Sequence, residues 1–322
     1  MSNEAKNSLM LRACYFYYFQ RKNIQKIAEI LQISRFRVSR YINEANERGL
    51  VSFEINDPLI DYEAISINLE QKFGLKRVIT VPVIEGAKSD DVRHIIGSAG
   101  KYFFNNLKED IDIALTWGRT MAFMVKAIPD GISHVKHVVE LSGSFGTISK
   151  YFTAHNVSLI AADKFNAPCI QLLAPVLVES RKIAEILLNE SNIQKALNMS
   201  ANCDMAISGV GPVHSLDSSL LNSGFLNEGE MKQLKSKGAV GSIMGRFFDA
   251  QGKECDTGFK NTAICLSLEN YLKIPDRVIF AGGKHKVDAI YALIDNQTVN
   301  CLVTDSETAQ ALLRRKQGEK SK

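Results

Sequence analysis

Arg35, Phe36, Arg37, Ser39, Arg40 and Asn43 stand within nine consecutive residues. On a helix they fall opposite Val38, Tyr41, Ile42 and Ala45, which form an apolar face. An outer face of arginine, serine and asparagine suits insertion into the DNA major groove. Affinity would come mainly from phosphate neutralisation and fall with salt, with Arg35, Arg37 and Arg40 as candidate base readers. Charge supports this reading over a merely solvated helical pair. From Arg21 to Arg48 there are seven Lys/Arg (Arg21, Lys22, Lys26, Arg35, Arg37, Arg40, Arg48) against three Glu (Glu29, Glu44, Glu47), a net of +4. The whole chain is also +4, so the positive field is confined to this segment.

A second set of residues could hold a small anionic or hydroxylated ligand. Thr116-Trp117-Gly118-Arg119-Thr120 offers backbone N–H groups, a guanidinium and a hydroxyl where a strand runs into a helix. Taken alone, the stretch reads equally well as an ordinary turn in which Gly118 relieves crowding. Asp249, beside Arg246, Phe247 and Phe248, can accept hydrogen bonds from vicinal hydroxyls or pair with Arg246 at the surface. Lys284 and Lys286 follow Gly282-Gly283 in the first turn of a helix, where a lysine can meet phosphate or stay solvated. All three signals fall at strand ends of one expected sheet, the place where open α/β sheets bind ligands.

The elements that must carry these residues follow from periodicity. Ile24, Ile27, Ala28 and Leu31 predict a short amphipathic helix, Gln32 and Ile33 a turn, and Ser34 the cap of the next helix. Small Ala28 lets the two helices cross closely, while Gln32 stands where glycine would ease a left-handed conformation. Residues 9–19 predict an aromatic helix covering the back of the pair, its Tyr/Phe stripe read as core. Gly49 suits a helix end, 50–55 alternate like the strand of a wing, and Asn56-Asp57-Pro58 marks a linker. Beyond the linker, helices expected at 62–73, 90–107 and 307–315 alternate with strands at 77–83, 112–116, 137–141, 205–208, 277–281 and 301–304. Glycine turns follow four of those strands, at Gly118, Gly143, Gly209-Val210-Gly211 and Gly282-Gly283. Such an order predicts a largely parallel sheet covered on both faces. The chain therefore reads as a winged helix-turn-helix domain at 1–57 followed by a Rossmann-like α/β domain at 58–322.

Bulk properties bound the rest. The 322 residues suffice for two domains. No apolar run is long enough to span a bilayer, and the first twenty residues lack the basic-then-apolar pattern of a secretory signal. Six scattered cysteines, with no CxxC pair and no zinc spacing, read as reduced thiols of a cytoplasmic protein with no metal or cofactor. Of the six histidines, none pairs with an acid at these motifs and only His285 lies in a crevice loop, so no catalytic residue is assigned.

The motifs YYFQRKNIQKIAEILQISRFRVSRYI, TWGRT, VVELSGSFG, ISGVGPV, AVGSIMGRFFDAQG, AGGKHKVDAI and NCLVTDSETAQALL run in order over nearly the whole chain. With them the sequence resembles the SorC family of bacterial transcriptional regulators of sugar catabolism. The resemblance implies a DNA-binding domain and an effector domain similar to sugar-phosphate isomerases and deaminases. It also implies dimers or tetramers on operator DNA, released or rearranged by a sugar, polyol or phosphosugar. Carried over by position, the effector site would comprise Gly118, Arg119 and Thr120, then Gly143 and Ser144, with Asp249 on sugar hydroxyls and Lys286 on a phosphate or hydroxyl. Some relatives form a covalent imine through a lysine just before the second glycine loop; Ser142 stands there, which argues against covalent capture. Some phosphosugar binders carry small hydroxyl residues in place of Arg119, so phosphorylation of the ligand stays open. The rival reading is a sugar-phosphate isomerase or deaminase with an accessory DNA-binding domain, since fold alone does not decide function. Such chemistry needs a positioned base, and the residues favour a regulator over an enzyme.

Overall fold

The computed structural model describes residues 3–48, 50–51, 60–83, 87–105, 107, 110–130, 135–144, 154–213, 221 and 226–318. The chain divides into two compact units, Met1–Ile60 and Asp61–Lys322.

In the first unit, α1 (Asn3–Cys14) runs into a π-helical turn, Tyr15–Phe19. It is followed by α2 (Ile24–Leu31) and α3 (Arg35–Glu47). Asn23 caps α2 by accepting from the Lys26 N–H at 2.8 Å, and Ser34 Oγ accepts from the Arg37 N–H at 3.3 Å. Between the helices Gln32 adopts φ 51°, the left-handed conformation such a turn demands. Ile27, Ala28 and Leu31 pack on Val38, Tyr41, Ile42 and Ala45, and α1 adds Met10, Ala13 and Cys14. Burial of each larger apolar side chain here is worth about 1.5–3 kcal/mol. Lys6 on α1 pairs with Glu44 on α3 at 2.6 Å.

The aromatic stripe departs from expectation. Tyr15 is 53% and Phe19 80% exposed, stacked on each other at 5.5 Å, while Phe16 and Tyr18 are half-buried against the core. Apolar residues at nearly every position of 9–19 point all round the helix, and one small core can take only one side. Of the expected wing, Leu50 and Val51 are described and lie in no strand. The rest of the wing and Asn56-Asp57-Pro58 lie outside the described residues, as does Gly49.

The second unit opens with α4 (Ile60–Phe73), β1 (Arg77–Val81), α5 (Ser89–Ser98) and α6 (Gly100–Phe104). Next come β2 (Ile111–Leu115), α7 (Arg119–Lys126), β3 (Val135–Glu140), α8 (Ala154–Phe165) and β4 (Cys169–Ile170). After α9 (Arg181–Leu188) and α10 (Ser191–Ala201) the chain forms β5 (Met205–Ser208), β6 (Gly211–Pro212) and α11 (Glu228–Ser236). It ends with β7 (Ala239–Ile243), β8 (Arg246–Asp249), α12 (Leu268–Tyr271), β9 (Asp276–Phe280), α13 (Val287–Asp295), β10 (Cys301–Asp305) and α14 (Ser306–Lys316).

Seven strands make one sheet in the order β1-β10-β9-β5-β2-β3-β4, every pairing parallel. All residues of β5 and β10 are buried, as strands covered on both faces must be. One face carries a core with Leu69, Phe73, Leu293 and Leu312 from α4, α13 and α14. The other packs Ile96, Phe103, Met121 and Phe165 from α5, α6, α7 and α8. From β2 the chain steps outward to β3 and β4, then crosses back to lay β5 on the other side of β2. The direction of winding therefore reverses between β2 and β5, which makes that gap the site-forming crevice of such a sheet.

Strand β4 and helices α9 and α10 are additions to the expected alternation, and two further features depart from it. The helix expected over 90–107 breaks at Ala99 into α5 and α6. A small antiparallel sheet, β6-β7-β8, holds the AVGSIMGRFFD stretch. Met244 (φ 57°) and Gly245 (φ 92°) form its two-residue turn, as a primed hairpin requires. All six cysteines are free, Cys169 half-buried and the others buried.

Candidate functional site

A solvent-open cleft lies at the β2/β5 reversal. The Thr116 N–H donates to the Ile207 carbonyl at 3.2 Å, holding β2 and β5 together to the lip of the cleft. Gly118 then adopts φ 139°, a backbone state closed to ordinary L residues, and α7 starts at once. Gly118 has no side chain to cap α7, so the first N–H groups of the helix, which begins in the cleft lining, carry no side-chain cap. Gly209-Val210-Gly211 and Pro212 from the end of β5, and Ser242 and Met244 from the hairpin, line the other side. Lys286 enters from the turn after β9.

Among the described residues, the cations Arg93, Arg119 and Lys286 line this space. Lys286 is 6% and Arg93 3% exposed, unusually low for charged side chains. Arg93 pairs with Asp90, whose carboxylate also lies 3.5 Å from Arg119. Thr116 and Thr120 are buried beside them. Positive charge, hydroxyls and a helix N-terminus thus converge on one polar recess, equipped to hold an anion that also carries hydroxyl groups.

Of the residues singled out by sequence, Gly118, Arg119, Thr120 and Lys286 line this cleft together. Gly143, Ser144 and Asp249 are not among its lining. The Gly143 N–H donates to Ile264 O and the Ser144 N–H to Ala174 O, both at 2.9 Å. A Cβ on Gly143 would lie 2.5 Å from Ala174 O, so this glycine serves a close passage of two loops. Asp249 Oδ1 accepts from the Gln251 and Lys253 N–H groups, each at 2.9 Å, and shapes the turn after β8. Its expected alternative partner, Arg246, instead pairs with Glu254 at 2.7 Å and donates to Leu266 O. Arg93, Ser242 and Met244 are cleft residues that the sequence did not single out. Arg93 had one signal: it sits three residues before buried Ile96, on the face of α5 that a solvated arginine would avoid.

Among the described residues, His137 and His155 do approach acids. His137 Nδ1 lies 2.8 Å from Asp112, at the opening ends of β3 and β2, away from the cleft. His155 lies 3.8 Å from Glu140 at the close of β3. Burial pushes the Glu140 carboxyl up to about 7, opposed by the Leu172 N–H donating to its other oxygen at 2.8 Å.

In the first unit, α3 displays Arg35, Phe36, Arg40 and Asn43 exposed, with Arg37 and Ser39 half-buried. The guanidiniums of Arg37 and Arg40 sit 5.8 and 5.9 Å from the ring centre of buried Tyr41. Cation–π contact and the Ser34 cap thus fix the base of a basic, otherwise solvated surface.

A helix-turn-helix unit joined to a parallel α/β unit with a polar cleft at its switch point defines a class: regulators that carry their own ligand-binding domain. Residues 57–314 match the sugar-binding domain family. Over 315 residues the chain is 31% identical to the deoxyribonucleoside regulator of Bacillus subtilis, spanning 96% of this chain and 98% of that one. It is 27% identical to the erythritol catabolism regulatory protein EryD of Brucella abortus, over 98% of this chain and 99% of that protein. The fold matches the full-length sorbitol operon regulator SorC of Klebsiella pneumoniae with a TM-score of 0.73 at 23% identity, covering 97% of this chain and all of that one. The chain belongs to the SorC-like family of sugar-binding transcriptional regulators.

Proposed function

We propose that the cleft binds a phosphorylated sugar and that its occupancy sets how tightly α3 holds operator DNA. The observation that carries this reading is the placement of Lys286 and Arg93, almost wholly buried, with Arg119 at the start of α7. A cation kept out of water gains most from a ligand that brings the opposite charge. Thr116, Thr120 and Ser242 offer partners for hydroxyls. Arg35, Arg37 and Arg40 read operator bases, with Phe36, Ser39 and Asn43 beside them and Ser34 shaping the helix start. The ligand acts by favouring one assembly over another, and that difference in affinity sets the size of the response. The working form in this reading is a cytoplasmic homo-oligomer, because two-fold pairing would offer two α3 helices to two half-sites of an operator. Relatives named as regulators favour a binding cleft over a catalytic one.

A thermal-shift screen of matched free and phosphorylated sugars and polyols, with wild type and Lys286→Ala, tests the effector reading. A phosphosugar at a hundredfold its dissociation constant stabilises wild type by about 2.7 kcal/mol, and Lys286→Ala loses the effect. Stabilisation by a free polyol alone moves the ligand to the unphosphorylated class. No shift from any compound removes the effector reading, and release of ammonia or an isomerised sugar restores the enzyme.

A further inference from the structure

Lys284 and Lys286 leave the same short turn for opposite fates. The Lys284 side chain is 82% exposed and meets Glu307 at 3.2 Å, while Lys286 is 6% exposed in the cleft. We infer that Asp305, at the junction of β10 and α14, is the positioning residue that holds this turn so that Lys286 points into the cleft.

Asp305 is 1% exposed and caps α14, its Oδ1 accepting from the Thr308 N–H at 2.8 Å. A cap needs only that one acceptor, and serine or asparagine supplies it as well as aspartate. The second oxygen is used elsewhere. Oδ2 accepts from the Gly283 N–H at 2.9 Å and from the Thr308 hydroxyl at 2.7 Å, and that hydroxyl accepts from the same Gly283 N–H at 2.7 Å. Gly283 O in turn accepts from the Lys286 N–H at 2.9 Å, which closes the turn carrying the lysine.

The fit leaves no slack. A Cβ on Gly282 would lie 2.1 Å from Asp305 Oδ2 and 2.5 Å from Ile96 Cδ1, so only glycine lets the carboxylate approach. Gly283 has φ 96°, a conformation that the two acceptors hold in place. A carboxylate, with two acceptor oxygens on one group, binds the start of α14 and the cleft turn into one rigid piece. The value of that rigidity for effector binding rests on the reading given above; the placement of Lys286 does not.

The test is amine labelling of the full chain with an acetylating ester, followed by peptide mass spectrometry at Lys286 and Lys284. Asp305→Asn keeps an acceptor for the Thr308 N–H but turns a donor toward the Gly283 N–H. Labelling of Lys286 relative to Lys284 then rises about tenfold, the scale of one buried hydrogen bond, with the thermal transition retained. Asp305→Ser, a good cap too short to reach Gly283, gives the same rise and serves if the asparagine variant folds poorly. Thr308→Ser keeps the hydroxyl and the wild-type ratio. An unchanged Lys286/Lys284 ratio in either folded Asp305 variant overturns the proposal. The ratio needs no ligand, so it stands or falls separately from the effector reading, which the wild-type phosphosugar screen decides.

Discussion

Arg35 and Arg40 of α3 stand in water, whereas Lys286 and Arg93 of the cleft are almost wholly withdrawn from it. The two surfaces thus handle charge by opposite rules. Exposed arginines cost little to hold, act additively along a polyanion and are screened by salt. Buried cations are costly to hold, so they are few, fixed in direction and tied to hydrogen-bonded turns. The first arrangement suits a long partner of uniform charge. The second suits a small ligand whose single charge must land at one point.

Salt separates the two most sharply. Raising it from 50 to 200 mM is expected to weaken duplex binding by about 10³-fold if a dimer neutralises some six phosphates. Phosphosugar binding in the cleft falls by less than about tenfold, because buried pairs are screened much less. Equal salt slopes in paired titrations break the comparison. Next in size, Lys286→Ala lowers phosphosugar affinity by about 10- to 100-fold, the worth of one charge-assisted hydrogen bond, and leaves DNA affinity without ligand unchanged. Calorimetry and anisotropy on the same preparation check both halves.

The buried carboxyl of Glu140 gives the effector unit a pH dependence of its own. Desolvation raises it from its ordinary 4.5 to about 7, so folding favours the protonated form. Its contribution is whole below about pH 4.5 and is lost as pH rises toward 7, at up to about tenfold in the folding equilibrium per pH unit. Glu140→Gln flattens that decline, as urea unfolding at several pH values would reveal; an unchanged slope contradicts it. The smallest effect belongs to the first unit. Gln32→Gly relieves a left-handed conformation and stabilises by about 0.5–1 kcal/mol, read as a higher melting temperature with DNA affinity unaltered.

The same contrast explains what was legible in the sequence. The face proposed to read DNA lies on one continuous helix, so periodicity alone separates Arg35, Arg40 and Asn43 from Val38, Tyr41 and Ile42. Most of the sheet was legible as well, because four of its strands are short apolar runs closed by a glycine turn; two-residue β4, with no such turn, was not. The cleft draws on segments far apart in the chain, and only those marked by glycine turns announced themselves: Gly118 with Arg119 and Thr120, and Gly282-Gly283 with Lys286. Arg93 shows in sequence only its spacing to Ile96 on the apolar face of α5, and Ser242 looks like any strand residue; tertiary packing makes them cleft residues. Asp249 misled for the converse reason. An acid beside aromatics resembles a sugar reader, yet a turn after a hairpin strand also needs an acceptor for its N–H groups. The aromatic run at 15–19 misled through composition, since hydrophobicity without period does not say which side is buried.

The most direct test is the dissociation constant of the full chain for a duplex selected from a random library, measured at fixed salt by anisotropy. Each sugar phosphate and its free counterpart are added in turn, to wild type and to Lys286→Ala. At least one phosphosugar is expected to change the wild-type constant by about fivefold or more, with its free counterpart inactive and Lys286→Ala unresponsive. A duplex affinity that no phosphosugar alters, or one that Lys286→Ala still shows altered to the same degree, would contradict the account.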